Sequence, residues 1–354
     1  MEELKLFKLS DLKDWILLGK RVDGLSEEVI TTTRAYAFVN NPYVEDCMPV
    51  VATLYVDHEL AAYTAAFPEV LVQPEVKTHW FNSLYVSPKF EGKGYGLFVI
   101  GSLMESYGDD PVFDLDAVPT SVEILSYLGL QAGSFPQYDF RNKSFRRNSL
   151  KGVLANAFDS VLRFCRTSGT LNRLKEQIRK SSYTIQYDNF VDEEAFVFMK
   201  QHAEGDLFLR SKDSLNWMLG TPFVHEAPLM HRVKNSILFS SAKERQRYYV
   251  VKVYDQGVLV GVYIICDSSS KLSLMYFYYD VLHEEEVMLS IAEHILRFKN
   301  PRFSTTHPGV AGFVSRYKLY PLSSMIPTSI CYPKGYESVL GKAIQGGDGD
   351  MFLN

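Results

Sequence analysis

Three glycines at alternate positions, in Glu91-Gly92-Lys93-Gly94-Tyr95-Gly96, are the residues of this chain whose type and spacing best suit chemistry. A strand that runs into a glycine turn just ahead of a helix lets backbone N–H groups approach an anion, and the helix N-terminus adds its positive partial charge. Such a turn holds a diphosphate without a basic side chain. The spacing is neither the G-x-G-x-x-G of a dinucleotide-binding turn nor the G-x-x-x-x-G-K-[ST] of a P-loop, so neither of those sites fits. Further on, Asp114 and Asp116 stand two apart in a strand-like run at 112–118, which puts both carboxylates on one face where they could grip an amine. The alternative is a pair of solvated acids at a strand end.

Before the glycines, residues 4–8 alternate as a strand, and Ser10 has the chemistry of an N-cap for a helix that Gly19 would stop. Residues 48–56 and 60–67 read as a hairpin around Asp57-His58-Glu59, and 81–86 as a further strand. After the loop, 97–107 carries apolar residues at helical spacing, and 120–128 reads as a helix stopped by Gly129. Beyond Ser182 the order begins again: a strand at 183–187, a helix at 192–202, a hairpin around Asp255-Gln256-Gly257, a strand at 272–279 and a helix at 284–298. A short strand at 302–305 and a helix at 310–318 complete the second cycle. It lacks the glycine turn, because Asp280-Val281-Leu282-His283-Glu284 stands in its place.

A chain of 354 residues with 46% hydrophobic content is long enough for two cores. The expected division is 1–140, a basic linking region 141–181, and 182–354. Net charge −5 gives no support for a nucleic-acid partner. Four scattered cysteines form no C-x-x-C pair, and no His or Cys spacing suits a metal, so a reduced, cytoplasmic protein without metal is expected. The N-terminus is charged from the start and no apolar run is long enough to span a membrane. Between 141 and 180, eleven Lys and Arg residues face only Asp159 and Glu176, and apolar residues between 150 and 166 fall on one helical face. That segment reads as an interdomain helix, with peripheral contact to an anionic surface as the second reading. Trp217 reads as core, with a sugar-stacking shelf as its alternative, and the oligomeric state is left open.

The run Leu84-Tyr85-Val86-Ser87-Pro88-Lys89-Phe90-Glu91-Gly92-Lys93-Gly94-Tyr95-Gly96-Leu97 resembles the acetyl-CoA motif of the GNAT acetyltransferases. The likeness extends upstream through the hairpin and downstream to Leu125-Ser126-Tyr127-Leu128-Gly129-Leu130. It implies an α/β (α+β) fold of two tandem GNAT-like domains, each a mixed, mostly antiparallel sheet flanked by helices, the second degenerate and serving substrate or partner. By resemblance, the strand before the loop splays from its neighbour, Leu84, Tyr85 and Val86 line the pantetheine arm, and Glu91, Gly92, Lys93, Gly94, Tyr95 and Gly96 surround the diphosphate of acetyl-CoA. The implied reaction is attack of a primary amine of a small molecule, an amino sugar being one candidate, on the thioester. It needs a base, an oxyanion donor and often an acid. Candidates for these roles are His79, Asn82, Asp114 and Asp116, with Asn82 orienting a water and His79 alternatively an exposed strand-end residue. Two positions depart from the family: Glu91 replaces the usual Arg or Gln and would repel a diphosphate unless turned outward, and Leu125 stands where a thiolate-protonating Tyr is common. Tyr127 is the nearest substitute. Those departures also suit a noncatalytic acyl-CoA sensor, and the cleft between halves is the expected acceptor site.

Overall fold

The computed structural model describes residues 1–26, 29–72, 75–142, 169–221, 225–226, 242–243, 246–268, 270–337 and 342–349. The amphipathic stretch 150–166, and with it the surface-contact reading, lies outside the described residues. In chain order the first part holds β1 (Glu2–Lys8), α1 (Leu9–Ile16), α2 (Thr32–Val39), β2 (Pro49–Val56), β3 (Glu59–Val72), β4 (Glu75–Val86), α3 (Tyr95–Glu105), β5 (Val112–Leu115), α4 (Pro119–Tyr127) and β6 (Gln131–Arg141). The described part of α5 covers 169–180. Then follow β7 (Thr184–Asp188), α6 (Glu193–Gln201), α7 (Lys212–Gly220), and the short parallel pair β8 (His225–Glu226) and β9 (Ala242–Lys243). The chain continues with β10 (Gln246–Asp255), β11 (Val258–Ser268), β12 (Leu272–Tyr279), α8 (Glu284–Phe298), β13 (Arg302–Thr305), α9 (Pro308–Arg316) and β14 (Leu322–Tyr332).

Twelve of these strands form one mixed sheet in the order β1-β2-β3-β4-β5-β14-β6-β13-β12-β11-β10-β7. The second half repeats the first, hairpins leading to a strand that pairs in parallel with its successor: β4 with β5, and β12 with β13. The two halves then exchange strands. β14, from the end of the chain, lies between β5 and β6, pairing with β6 from Leu322↔Arg141 to Tyr332↔Gln131, and β6 pairs on its other edge with β13. The division expected near 140 and 182 therefore runs between strands of a single sheet.

Both faces of the sheet are covered, so its strands read as nearly continuous apolar runs rather than alternating ones. Along β11 the side chains still divide by period from Val262 onward: Val262, Ile264 and Cys266 enter the core that both halves share, while Tyr263 and Ile265 enter the core under α8 and α9. The shared core also takes Ala37 and Phe38 of α2, Met199 of α6 and Leu215 and Trp217 of α7. A third core packs Val99, Ile100 and Leu103 of α3 and Leu125 of α4 on the opposite face of the first half. Each such side chain contributes about 1.5–3 kcal/mol on burial. Trp217 is core rather than a sugar shelf: it is 7% exposed, packs against Phe67, and donates its Nε1–H to the Ala37 carbonyl at 2.8 Å.

A buried ion pair ties the halves together. Arg210, which bridges to Leu71 of β3, donates from Nη1 to Glu69 Oε2 at 2.5 Å, and Ser214 Oγ donates to the same oxygen at 2.6 Å. The second guanidinium arm donates to the carbonyl of Gly349, near the end of the chain. Nearby, Gln345 Nε2 bonds Asp206, and Tyr276 donates to Asp348 at 3.3 Å. At the other end of the chain, Ser10 is not the N-cap expected of it: α1 begins one residue earlier, and the Lys8 N–H donates to Asp11 Oδ2 at 2.8 Å. An acid in the first turn does the work expected of the serine.

Candidate functional site

The site begins where β4 and β5 part. They pair in parallel only at His79↔Val112 and Trp80↔Phe113. Beyond that point β5 turns to β14, through Asp114↔Cys331 and Leu115↔Ile330, while β4 continues to Val86 paired only with β3. Its edge from 81 to 86 therefore faces the gap with no strand paired to it among the described residues. A bulge adds to the opening: Ala66 pairs with Phe81 and Ala65 with Ser83, so Asn82 is the extra residue on β4.

The gap is a cavity of about 180 Å³ whose walls include Asn82, Ser83, Leu84, Asp114, Asp116 and Leu125. Four residues singled out in the sequence, Asn82, Leu84, Asp114 and Asp116, are thus brought together. The route differs from the expected one. β5 ends at Leu115, and Asp116 lies outside it with φ 61°, held by its N–H donating to the Ser329 carbonyl at 2.9 Å. Strand alternation is therefore not what places the two carboxylates on this cavity. Partial enclosure by protein raises the Asp116 pKa above the ordinary carboxylate value, and the charge of Lys271 opposes that rise. Asn82 is 8% exposed; its Oδ1 accepts from Ser83 Oγ at 3.1 Å, while its Nδ2 finds no hydrogen-bond partner.

The other two candidates stand apart from this cavity. Tyr127, at the end of α4, is 77% exposed, whereas Leu125 is buried against the gap. The helix turns two residues by about 200° and so directs the phenol away from the wall that Leu125 forms. His79 is buried rather than exposed: its ring stacks on Tyr107 at 3.7 Å between centroids, and Nε2 meets Asp110 Oδ2 at 3.1 Å. Burial lowers its pKa, with Asp110 pulling the other way.

The glycine loop follows the end of β4 and leads into α3. Gly92 and Gly94 have φ 76° and 79°, the left-handed region that glycine enters without steric cost, and a Cβ built on either would meet nothing within 4 Å. Gly96 is constrained differently: a Cβ there would come within 3.1 Å of Val86 and 3.2 Å of Ile124, so glycine lets α3 start tightly against β4 and α4. The N-terminus of α3 has no side-chain cap and no acid in its first turn. Its first amides have no partner within the helix. Glu91 is exposed, Lys93 Nζ rests 5.1 Å from the Phe90 ring centroid, and Tyr95 donates to Glu2 at 2.5 Å. Leu84, Tyr85 and Val86 are partly buried along the open edge.

A second cavity, of about 350 Å³, adjoins the first and draws on both halves: Asp116 and Gln137 from one, Lys271, Ser273, Thr305 and Thr306 from the other. Asp116 lines both cavities. Lys271 escaped the sequence reading because a lysine closing a run of serines, Ser268 to Ser270, looks like any solvated turn. Burial lowers its pKa, assisted by the neighbouring charge of Arg302. No group of His, Cys, Asp and Glu able to hold a metal occurs among the described residues, and no described helix is long and apolar enough to cross a membrane.

No protein-family model matches the chain, and no curated protein matches it in sequence. Solved structures do resemble it. The GCN5-related N-acetyltransferase from Kribbella flavida is 11% identical, with TM-score 0.51, over 93% of this chain and 70% of that one. A GCN5-related N-acetyltransferase from Anabaena variabilis is 10% identical, with TM-score 0.48, over 93% of this chain and 72% of that one. A tandem GNAT protein from the clavulanic acid biosynthesis pathway is likewise 10% identical, with TM-score 0.48, over 94% of this chain and 98% of that one. The first likeness shows that this chain has the GCN5-related N-acetyltransferase fold.

Proposed function

We propose that this protein is an acyl-CoA-dependent N-acyltransferase that moves an acetyl or similarly short acyl group to a primary amine of a small molecule. The observation that carries this reading is the position of Asp116 at the junction of two cavities, one opening along the free edge of β4 and the other between the halves. The first suits the donor. In this reading Leu84, Tyr85 and Val86 flank the pantetheine arm, the amides of Gly92 to Gly96 and the start of α3 hold the diphosphate, and Glu91, being exposed, turns away from it. The donor supplies the thioester, and everything else is done by the chain's own residues. The second cavity admits the amine, and the first and larger half of the division of labour is then one of positioning.

Asp116 accepts the proton that the amine nitrogen loses as the new C–N bond forms, its raised pKa making it a stronger base than an ordinary carboxylate. The unpartnered Nδ2 of Asn82 is a donor available to the carbonyl oxygen as charge develops there. The C–S bond breaks and the thiolate leaves past Leu125, which has no proton to give, so the thiolate takes one from solvent. Among the described residues that line the second cavity none is aromatic, which favours a polar amine over one recognised by stacking, an amino sugar included. Acyl-CoA supply places the activity in the cytoplasm.

The test is thiol release from acetyl-CoA with amine acceptors. Asp116→Asn should lower kcat by about 10²–10⁴-fold while leaving acetyl-CoA binding within about twofold. Leu125 favours a second reading, a noncatalytic acyl-CoA sensor. In that case acetyl-CoA binds, no acceptor yields thiol above hydrolysis, and Asp116→Asn changes nothing.

A further inference from the structure

The second cavity has charge at two places. Asp116 sits on it at the end of β5, and Lys271 at the start of β12, strands four places apart in the sheet order. Between them the walls carry the hydroxyls of Ser273, Ser304 and Thr305 and the amide of Gln137. The other charges near Lys271 are already engaged. Asp139, 3% exposed, takes the guanidinium of Arg302 at 3.2 Å through both carboxylate oxygens, and it also pairs with Arg141. No hydrogen bond or ion pair joins Lys271 Nζ to any described side chain; its contacts with Ser268 are through its backbone. Asp116 and Asp139 act on this ammonium only through space, and an ammonium in a polar cavity without a direct ion pair is poised for an anion on whatever enters.

Resting on the acyltransferase reading, we propose that the acceptor is an aminocarboxylate: its amine is presented to Asp116 and its carboxylate is bound by Lys271, with the wall hydroxyls donating to the carboxylate's remaining lone pairs. The arrangement explains why a cationic and an anionic side chain share one cavity without pairing with each other: no salt bridge joins Lys271 to Asp116 among the described residues, and each is left for one end of a dipolar ligand. A plain amine would leave Lys271 without a partner, and a plain acid would meet Asp116 as a like charge. Both mismatches cost more inside a cavity than on an open surface, because a lower dielectric strengthens each charge effect. Lys271 on this account is a specificity-determining residue and takes no part in bond making.

The experiment uses the full chain, acetyl-CoA, and two pools of acceptors assayed by thiol release: the free L-amino acids, and the same amino acids as carboxamides, which keep the amine and lose the carboxylate. The expected result is kcat/KM about 10- to 100-fold higher for the best amino acid than for its amide. Lys271→Met should erase that preference through KM and leave acetyl-CoA affinity unchanged. Lys271→Arg should restore a part of it, which also controls for a folding defect in the first variant. Equal turnover of the two pools, or a preference that survives Lys271→Met, overturns the proposal. So does binding of acetyl-CoA with no turnover of either pool, which leaves the donor site standing. Failure of acetyl-CoA to bind at all would instead bring down the acyltransferase reading on which this one rests.

Discussion

The two halves present the same strand geometry and opposite helix chemistry. In each, a parallel pair holds together over two residues and then parts, β4 from β5 and β12 from β13, and a helix starts close after the longer strand. In the first half that helix, α3, begins on an uncapped glycine with no acid in its first turn. In the second, α8 begins with Glu284, Glu285 and Glu286, and a short 3-10 turn, Val281–His283, replaces the glycines. The three carboxylates already answer the helix dipole, so an incoming phosphate would meet repulsion. Of the two helix starts, only that of α3 is free of acids that would oppose an anion.

A single substitution should cost the protein most at the joint between the halves. Arg210→Met leaves Glu69 buried without its counter-charge and should destabilise the protein by about 3–5 kcal/mol in denaturant unfolding. Because the sheet and its shared core run through both halves, one transition should shift as a unit; loss of only half the signal would show two independent bodies. The donor site gives the next largest effect. Gly94→Trp, placing a bulky residue at φ 79°, should weaken acetyl-CoA binding by at least about 100-fold in calorimetric titration. Leu282→Trp, at the matching place in the second half where Leu282 is 87% exposed, should leave it within about twofold.

Burial of acids beside the joint makes a smaller, pH-dependent contribution. Asp348 is pushed up to about 8 and Asp206 to about 6 by burial, against an ordinary value of 3.8 for each. The folded protein therefore holds protons that the unfolded chain releases, so the stability these two groups contribute is fully present below about pH 4, falls as pH rises towards 8, and then levels off. Thermal unfolding from pH 5 to pH 8 should show that fall, and Asp348→Asn should flatten it. The smallest effect belongs to α8: changing Glu284, Glu285 and Glu286 to Gln should cost about 0.3–1 kcal/mol per charge at low salt and less at high salt. If the triple variant gains acetyl-CoA binding, the acids alone keep the second half silent; if not, the missing glycines matter as well.

Much of the first half could be read from residue pattern. The glycine loop, the helix after it and the Gly129 stop are local features, each set by φ preference or by 3.6-residue spacing, whereas the open edge at Leu84 to Val86 follows from β5 leaving β4 for β14. Asp114 and Asp116 were legible as residues but not as geometry, because strand alternation gave no warning that Asp116 leaves the strand in a left-handed conformation. His79 looked exposed beside Lys77, and only packing against Tyr107 buries it.

By itself the sequence determined the order of hairpin, strand and helix around the glycine turn, its repetition after Ser182, and the presence of that turn in one copy alone, since these depend on interactions within a few residues; β6 and β14 were not among the elements it gave. Tertiary structure decided the strand exchange. β6 and β14 each carry a proline, Pro136 facing Pro327 across the ladder, and mixed polar faces that weaken any strand pattern. Their partners are set by which sheet edges the two folded halves leave open. The same exchange brings Asp116 onto Ser329 and carries Gln137 to the cavity that Lys271 lines. Side chains some 130 to 190 residues apart in the chain meet there for a reason no local pattern contains: hydrophobic periodicity records which face of an element is buried, and never which other element covers it.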